Sequence, residues 1–158
     1  MASILQNLSA YDPEQVPSGE GKSFGIVVSE WNRHITFELL LGCSDTLIKH
    51  GVREDHIHVK FVPGSFELPF AAKMLAQEKH LSAVICLGCV IKGETDHDIY
   101  INQSVAFALQ QLNIEHKIPF IFGVLTPNTE EQARDRAGGK HGNKGIEAAV
   151  TALKMSAI

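Results

Sequence analysis

The sequence predicts an α/β protein, a three-layer αβα sandwich built on a four-stranded parallel sheet. Three observations carry this. Four short runs, Phe24 to Ser29, Ile57 to Val62, Ala83 to Ile91 and Pro119 to Leu125, have the length of strands, and the first has the continuous hydrophobicity of one buried on both faces. Each is followed by a stretch whose apolar residues recur at helical spacing. Such alternation requires right-handed crossovers, which cover both faces of the sheet with helices.

Taken in order, Phe24-Gly25-Ile26-Val27-Val28-Ser29 is the first strand. The helix after it spans residues 33 to 50, with Ile35, Leu39, Cys43 and Leu47 on one face and Gly51 as a C-terminal stop. The second strand leads to a helix over residues 66 to 79, with Leu68, Ala71, Ala72 and Leu75 facing inward. Pro69 sits in its first turn, where a missing N–H costs least. The third strand ends in a glycine turn, and Thr95-Asp96-His97-Asp98 has capping-box spacing for a helix that reaches about His116 and buries Ile101, Val105, Ala108, Leu109 and Leu112. Thr129-Glu130-Glu131-Gln132 repeats that signature after the fourth strand, ahead of a short helix. A last helix runs from about Asn143 to Met155. This is a flavodoxin-like order of elements.

The chain has 158 residues, 44% apolar and 20% charged, enough for one domain without disulfides or metal. Residues 24–158 form that domain. Residues 1–23 hold too few apolar side chains to fold alone, and read as an arm that adds to a neighbouring subunit. With 14 basic residues scattered among 18 acidic ones and a net charge of −4, there is no footprint for nucleic acid. No apolar run approaches the roughly 20 residues of a membrane span. The N-terminus lacks a basic, apolar leader, so a cytoplasmic location is expected.

Three cysteines fit a reducing compartment. Cys86 and Cys89 form a C-x-x-C, but three positions apart on a strand they point to opposite faces, so they read as small apolar residues. Other sharp motifs fail. Gly21-Lys22-Ser23 resembles the end of a phosphate-binding loop, yet Val16 occupies the position of the required glycine and the triplet precedes its strand. His56 and His58 would share one strand face, and Asp96-His97-Asp98 mixes ligand types, but neither supplies three convergent ligands. No metal is expected, and no dinucleotide fingerprint is present.

Ligands of an open parallel sheet bind beyond the carboxyl ends of its strands. Four loops meet there: Glu30-Trp31-Asn32, Pro63-Gly64-Ser65-Phe66-Glu67, Lys92-Gly93-Glu94-Thr95-Asp96-His97 and Thr126-Pro127-Asn128. The third aims free N–H groups and a hydroxyl at one point, a nest suited to phosphate; an ordinary helix cap is the alternative. His97 stands two residues inside that helix start, where it can exchange protons near neutral pH, or be a plain surface histidine. Glu67 is a partner for substrate hydroxyls or a helix-dipole acid. Trp31 is a stacking platform for a planar ring or an interface aromatic. Arg136 and Lys140, in a basic glycine-rich stretch, are a phosphate clamp or part of a solvated loop.

Five motifs then align in order with one family. They are Trp31-Asn32 before Ile35-Thr36; Val62-Pro63-Gly64-Ser65-Phe66-Glu67-Leu68-Pro69; Gly88 to Thr95 followed by His97; Pro119 to Thr126; and Arg136-Ala137-Gly138 through Asn143-Lys144-Gly145. The chain resembles lumazine synthase from about Leu8 onward. The resemblance implies a cofactor-free transferase of riboflavin biosynthesis, which condenses 5-amino-6-(D-ribitylamino)uracil with 3,4-dihydroxy-2-butanone 4-phosphate to give 6,7-dimethyl-8-ribityllumazine. It implies that Trp31 stacks on the pyrimidine, that Ser65, Phe66 and Glu67 hold the ribityl chain, and that the backbone of Cys89, Val90 and Ile91 meets the ring. Glu94 and Thr95 would take the phosphate and His97 would move the protons. Phe122 and Arg136 would come from the neighbouring subunit.

The family also implies a homo-oligomer, in the form of pentamers, pairs of pentamers or sixty-subunit shells, with riboflavin synthase as a further partner. The short Gly138 to Gly145 link resembles that of the shell-forming members, so a shell of pentamers is expected, a free pentamer being the alternative. Family members follow the histidine with an aromatic and then an acid, whereas this chain has Asp98-Ile99. That departure predicts altered activity or a shifted pH optimum. It also motivates two other readings: an assembly scaffold of the same fold that binds flavin or lumazine with weak turnover, and a generic flavodoxin-like binding domain.

Overall fold

The computed structural model describes residues 7–158. Four strands, β1 (Phe24–Ser29), β2 (Ile57–Val62), β3 (Ala83–Cys89) and β4 (Phe120–Leu125), form one parallel sheet in the order β2-β1-β3-β4. Helices α1 (Arg33–Lys49) and α5 (Lys144–Met155) cover one face, and α2 (Leu68–Glu78) and α3 (His97–Glu115) cover the other. Short α4 (Glu130–Asp135) follows β4. The predicted sandwich and its strand ranges are therefore present, with β3 ending two residues earlier than expected and β4 starting one later.

The pleat sorts the core into two halves. Phe24, Ile26, Val28, Ile85 and Leu87 pack with Ile35, Leu39, Leu47, Ala149 and Leu153 on the α1–α5 side. Val27, Val84, Cys86, Phe120 and Val124 pack with Leu68, Ala72, Leu75, Val105 and Leu109 on the other. Every residue of β1 and β3 is buried, which explains their uninterrupted hydrophobicity; edge strand β2 is mostly exposed or half-exposed. In α3 only Val105, Leu109 and Leu112 are buried, while Ile101 and Ala108 are half-buried.

Helix starts differ from expectation in instructive ways. A single 3₁₀ turn, Ser65–Glu67, precedes α2, so Pro69 falls in the helix's first turn without loss of a bond. Thr129 caps α4 as expected, its Oγ1 accepting from Gln132 N at 3.2 Å. The capping box expected at Thr95–Asp98 does not form. The helix opens one residue later, behind Asp96, whose side chain makes no cap bond, so Asp98 is too early to reach back.

Residues 137–143, expected as an open loop, form a small antiparallel hairpin of β5 (Ala137–Gly139) and β6 (Gly142–Asn143). Gly138 and Gly142 hold φ of +104° and +86°, and open the tight turn. His56 ends a 3₁₀ turn and does not share a strand face with His58. The first six residues of the arm lie outside the described residues. Its remainder runs over its own domain: Leu8 N donates to His141 O at 3.0 Å, Ser9 Oγ accepts from Asn143 N at 3.1 Å, and Val16 enters the core. Lys22 of the failed phosphate-loop motif donates to Ser156 O at 3.2 Å, a structural use.

Candidate active site

The backbone continues the sheet pairing past the strand ends. Glu30 N donates to Val62 O at 2.8 Å and Trp31 N to Pro63 O at 3.0 Å, while Val90 N reaches Leu125 O and Lys92 N reaches Pro127 O at 2.9 and 3.0 Å. The loops that the sequence brings to one end of the sheet are thus held side by side by main-chain bonds.

Between them lies a cleft of about 480 Å³. Trp31 and Asn32 border it from the first loop, and Gly64, Ser65, Phe66 and Glu67 from the second. Cys89, Val90, Ile91, Gly93 and Thr95 enter from the third, and His97, Asp98 and Ile101 from the first turns of α3. Trp31 is 75% exposed and Phe66 60%, so both aromatic faces are available to a ligand and neither is a core residue. His97 is the first residue of α3 and is exposed.

Local packing sets these positions. Ser65 is buried beneath β3, and a Cβ at Gly88 would stand 2.5 Å from its Oγ, so only glycine admits the turn this close. Glu67 Oε2 accepts from Gly64 N at 2.9 Å while Glu67 N donates to Gly64 O at 3.2 Å, which fixes the carboxylate at the rim. Asn32 is the one non-glycine residue at positive φ among the described residues, at 59°. Its Nδ2 donates to Cys89 O at 2.9 Å and ties the first loop to the third. Sequence reasoning assigned Asn32 no task; an asparagine in the loop three residues past a buried strand, where αL geometry favours it, was the available signal. Asp98 has Oδ1 enclosed without a donor among the described residues.

Three expected site residues stand outside this cleft. Glu94 is exposed in the bend between Gly93 and Thr95. Phe122 points out of β4 into a depression between α3, β4 and α5, 37% exposed. Arg136 lies beyond the carboxyl end of β4, its Nη1 2.7 Å from Glu147 Oε1 and donating to His141 O at 3.1 Å. Lys140 pairs with Asp135 at 3.1 Å.

Cys86 and Cys89 fall in opposite halves of the core, as the strand period requires. Burial raises the Cys86 thiol far above its ordinary range, and burial followed by the Glu130 charge pushes Cys89 up to about 12. Neither is a thiolate near neutrality. Among the described residues no group of three or more His, Cys, Asp or Glu could hold a metal ion, and no helix is long and apolar enough to cross a membrane.

Residues 21–158 match the family model described as 6,7-dimethyl-8-ribityllumazine synthase. The chain belongs to the 6,7-dimethyl-8-ribityllumazine synthase family. Relatives bearing that name are similar over nearly their whole lengths. The protein of Parabacteroides distasonis is 56% identical over 98% of this chain and 97% of its own. That of Porphyromonas gingivalis is 53% identical over 100% and 98%, and that of Cytophaga hutchinsonii 52% over 99% and 98%. The chain is accordingly a transferase of riboflavin biosynthesis. It condenses 5-amino-6-(D-ribitylamino)uracil with 3,4-dihydroxy-2-butanone 4-phosphate to form the lumazine. The scaffold reading is not favoured.

Proposed function

We propose that the cleft between the first three loops is where this lumazine synthase carries out the condensation, and that His97 moves its protons. One geometric fact carries the reading: Trp31, the Ser65 to Glu67 turn, the Cys89 to Ile91 segment, Thr95 and His97 all border a single cleft. The exposed indole of Trp31 stacks on the pyrimidine. Ser65, Phe66 and the pre-oriented Glu67 carboxylate hold the ribityl chain, and the backbone of Cys89 to Ile91 meets the ring. Glu94 and Thr95 present N–H groups and a hydroxyl to the phosphate of the butanone.

Condensation then needs proton transfers as the amine adds to the carbonyl, water leaves and phosphate departs. An exposed imidazole on the first turn of α3, next to the phosphate turn, is suited to all of them. Holding both reactants in one cleft removes much of the entropy loss of their encounter.

Phe122 and Arg136 act in this reading from an adjacent subunit, completing a neighbour's cleft. The assembly is a homo-oligomer of pentamers arranged as a sixty-subunit shell. Phe70, Phe107 and Ile114, each 71 to 73% exposed on α2 and α3, support burial against other copies. Residues 7–23 lie against the catalytic domain of residues 24–158, riboflavin synthase is a further partner, and the location is cytoplasmic.

The test is steady-state formation of the fluorescent lumazine from the two substrates. His97→Ala should lose about 10²- to 10⁴-fold in kcat while melting like the parent, because the side chain is exposed. Undiminished turnover in that variant would remove His97 from the mechanism. Light scattering should report a particle far larger than a pentamer; an active monomer would overturn the account of a shared site.

A further inference from the structure

We propose that Glu147 is a positioning residue that aims Arg136 for the phosphorylated substrate. The inference rests on the reading of Arg136 as a phosphate ligand and goes beyond it to the group that orients the guanidinium. Arg136 follows α4 and its backbone conformation is irregular, so its side chain is not directed by a helix. Its Nη1 sits 2.7 Å from Glu147 Oε1, with the two side chains only 20% and 21% exposed. The same Nη1 donates to His141 O at 3.1 Å, and Arg136 O accepts from Lys144 N at 2.9 Å. Glu147 stands on the first turns of α5, and its other oxygen, Oε2, holds Lys144 Nζ at 3.2 Å.

One carboxylate therefore spans two cations, Arg136 and Lys144, both of which line a separate depression beyond β4. A guanidinium offers five donors; His141 O accepts from Nη1, and Glu147 Oε1 meets the same nitrogen as an ion pair without hydrogen-bond geometry, which leaves the other nitrogens for an anion. Fixing an arginine in advance spares the rotamer entropy that binding would otherwise cost. Surface ion pairs contribute little, but this one is largely shielded, so loss of Glu147 frees a side chain that is otherwise fixed.

The experiment varies each substrate separately and measures inhibition by inorganic phosphate, in the full-length chain, for Arg136→Ala, Glu147→Gln, Glu147→Asp and the double variant Arg136→Ala/Glu147→Gln. Glu147→Gln should raise KM for the butanone phosphate and Ki for phosphate about tenfold, equivalent to roughly 1.4 kcal/mol of coupling, and leave KM for the pyrimidine unchanged. Glu147→Asp should recover part of that loss. The double variant should be no worse towards phosphate than Arg136→Ala. Should Glu147→Gln fold poorly, the double variant, which leaves Lys144 but no guanidinium without its carboxylate, still compares with Arg136→Ala. Additivity of the two losses, or a rise in KM for both substrates alike, would overturn the proposal. If Arg136→Ala itself leaves phosphate inhibition unchanged, the reading of Arg136 fails first and separately.

Discussion

The Asn32 side-chain amide donates to the carbonyl oxygen of Cys89 across 2.9 Å, joining the end of β1 to the end of β3 at the floor of the cleft. The bond requires Asn32 to hold φ 59° and ψ 45°, a left-handed conformation that most residues avoid.

Two replacements separate these roles. Asn32→Gly keeps the backbone shape and loses the tie; Asn32→Ala loses the tie and adds about 1–2 kcal/mol of backbone strain. Thermal melts should rank parent, glycine, alanine in descending order, the glycine variant losing about 1–3 kcal/mol for the unsatisfied carbonyl. Both variants should show raised KM for the pyrimidine. Equal melting of the two variants would mean that the strain is relieved elsewhere.

Gly88→Ala should drive a methyl group against Ser65 Oγ and Leu68 Cδ1, 2.5 and 3.0 Å from the new Cβ. The expected cost is about 1–3 kcal/mol, with raised KM for the ribityl substrate as the turn shifts. Adding Ser65→Ala removes the closer contact and should restore part of the stability. A double variant no better than Gly88→Ala would place the clash at Leu68 alone.

Burial, and then the charge of Lys49, hold His50 below its ordinary 6.5 in the folded chain, where its Nε2 lies 3.0 Å from Tyr11 Oη. Below that ordinary value the unfolded state binds more protons, so the contribution of His50 to stability is complete above about pH 6.5 and is lost as pH falls towards the lower folded value. Urea midpoints should drop between pH 7.5 and 5.5. His50→Gln should flatten that slope, and Lys49→Gln should flatten it less, since burial is the larger cause.

All three cysteines are free and buried, with their thiols raised by burial. A thiol reagent at pH 8 should therefore label none of them quickly in the folded protein and all three in urea. Rapid native labelling of Cys89, the one that borders the cleft, would show that the cleft opens further than its walls imply; substrate should then protect it.

Legibility followed the physics of each element. β1 and β3 start where their sequence runs start because a central parallel strand must be apolar on both faces, while edge strand β2 showed instead the apolar–polar alternation of Ile57 to Phe61. That Trp31, Ser65, Phe66, Glu67, Thr95 and His97 border one cleft was readable because parallel topology gathers loop residues at one sheet end, whatever their spacing in sequence, while Cys89, Val90 and Ile91 entered only through the resemblance. The hairpin at 137–143 was not readable, since it depends on two glycines at positive φ and on arm residues Leu8 and Ser9 that reach it from far away in sequence. Thr95–Asp98 had the letters of a capping box, but the helix began at His97 and the spacing fell out of register. The asparagine itself hinted at the left-handed turn at residue 32, but its partner is a backbone carbonyl, which residue types do not reveal.

The main-chain bonds that run past the strand ends make the mouth of the cleft as stiff as the sheet itself. Amide protons of Trp31, Val90 and Lys92 should exchange with solvent nearly as slowly as those of the strands. A mould of that kind separates frame from lining: side chains along the wall can change over generations, and with them the choice of ligand, while the backbone that carries them stays as cast.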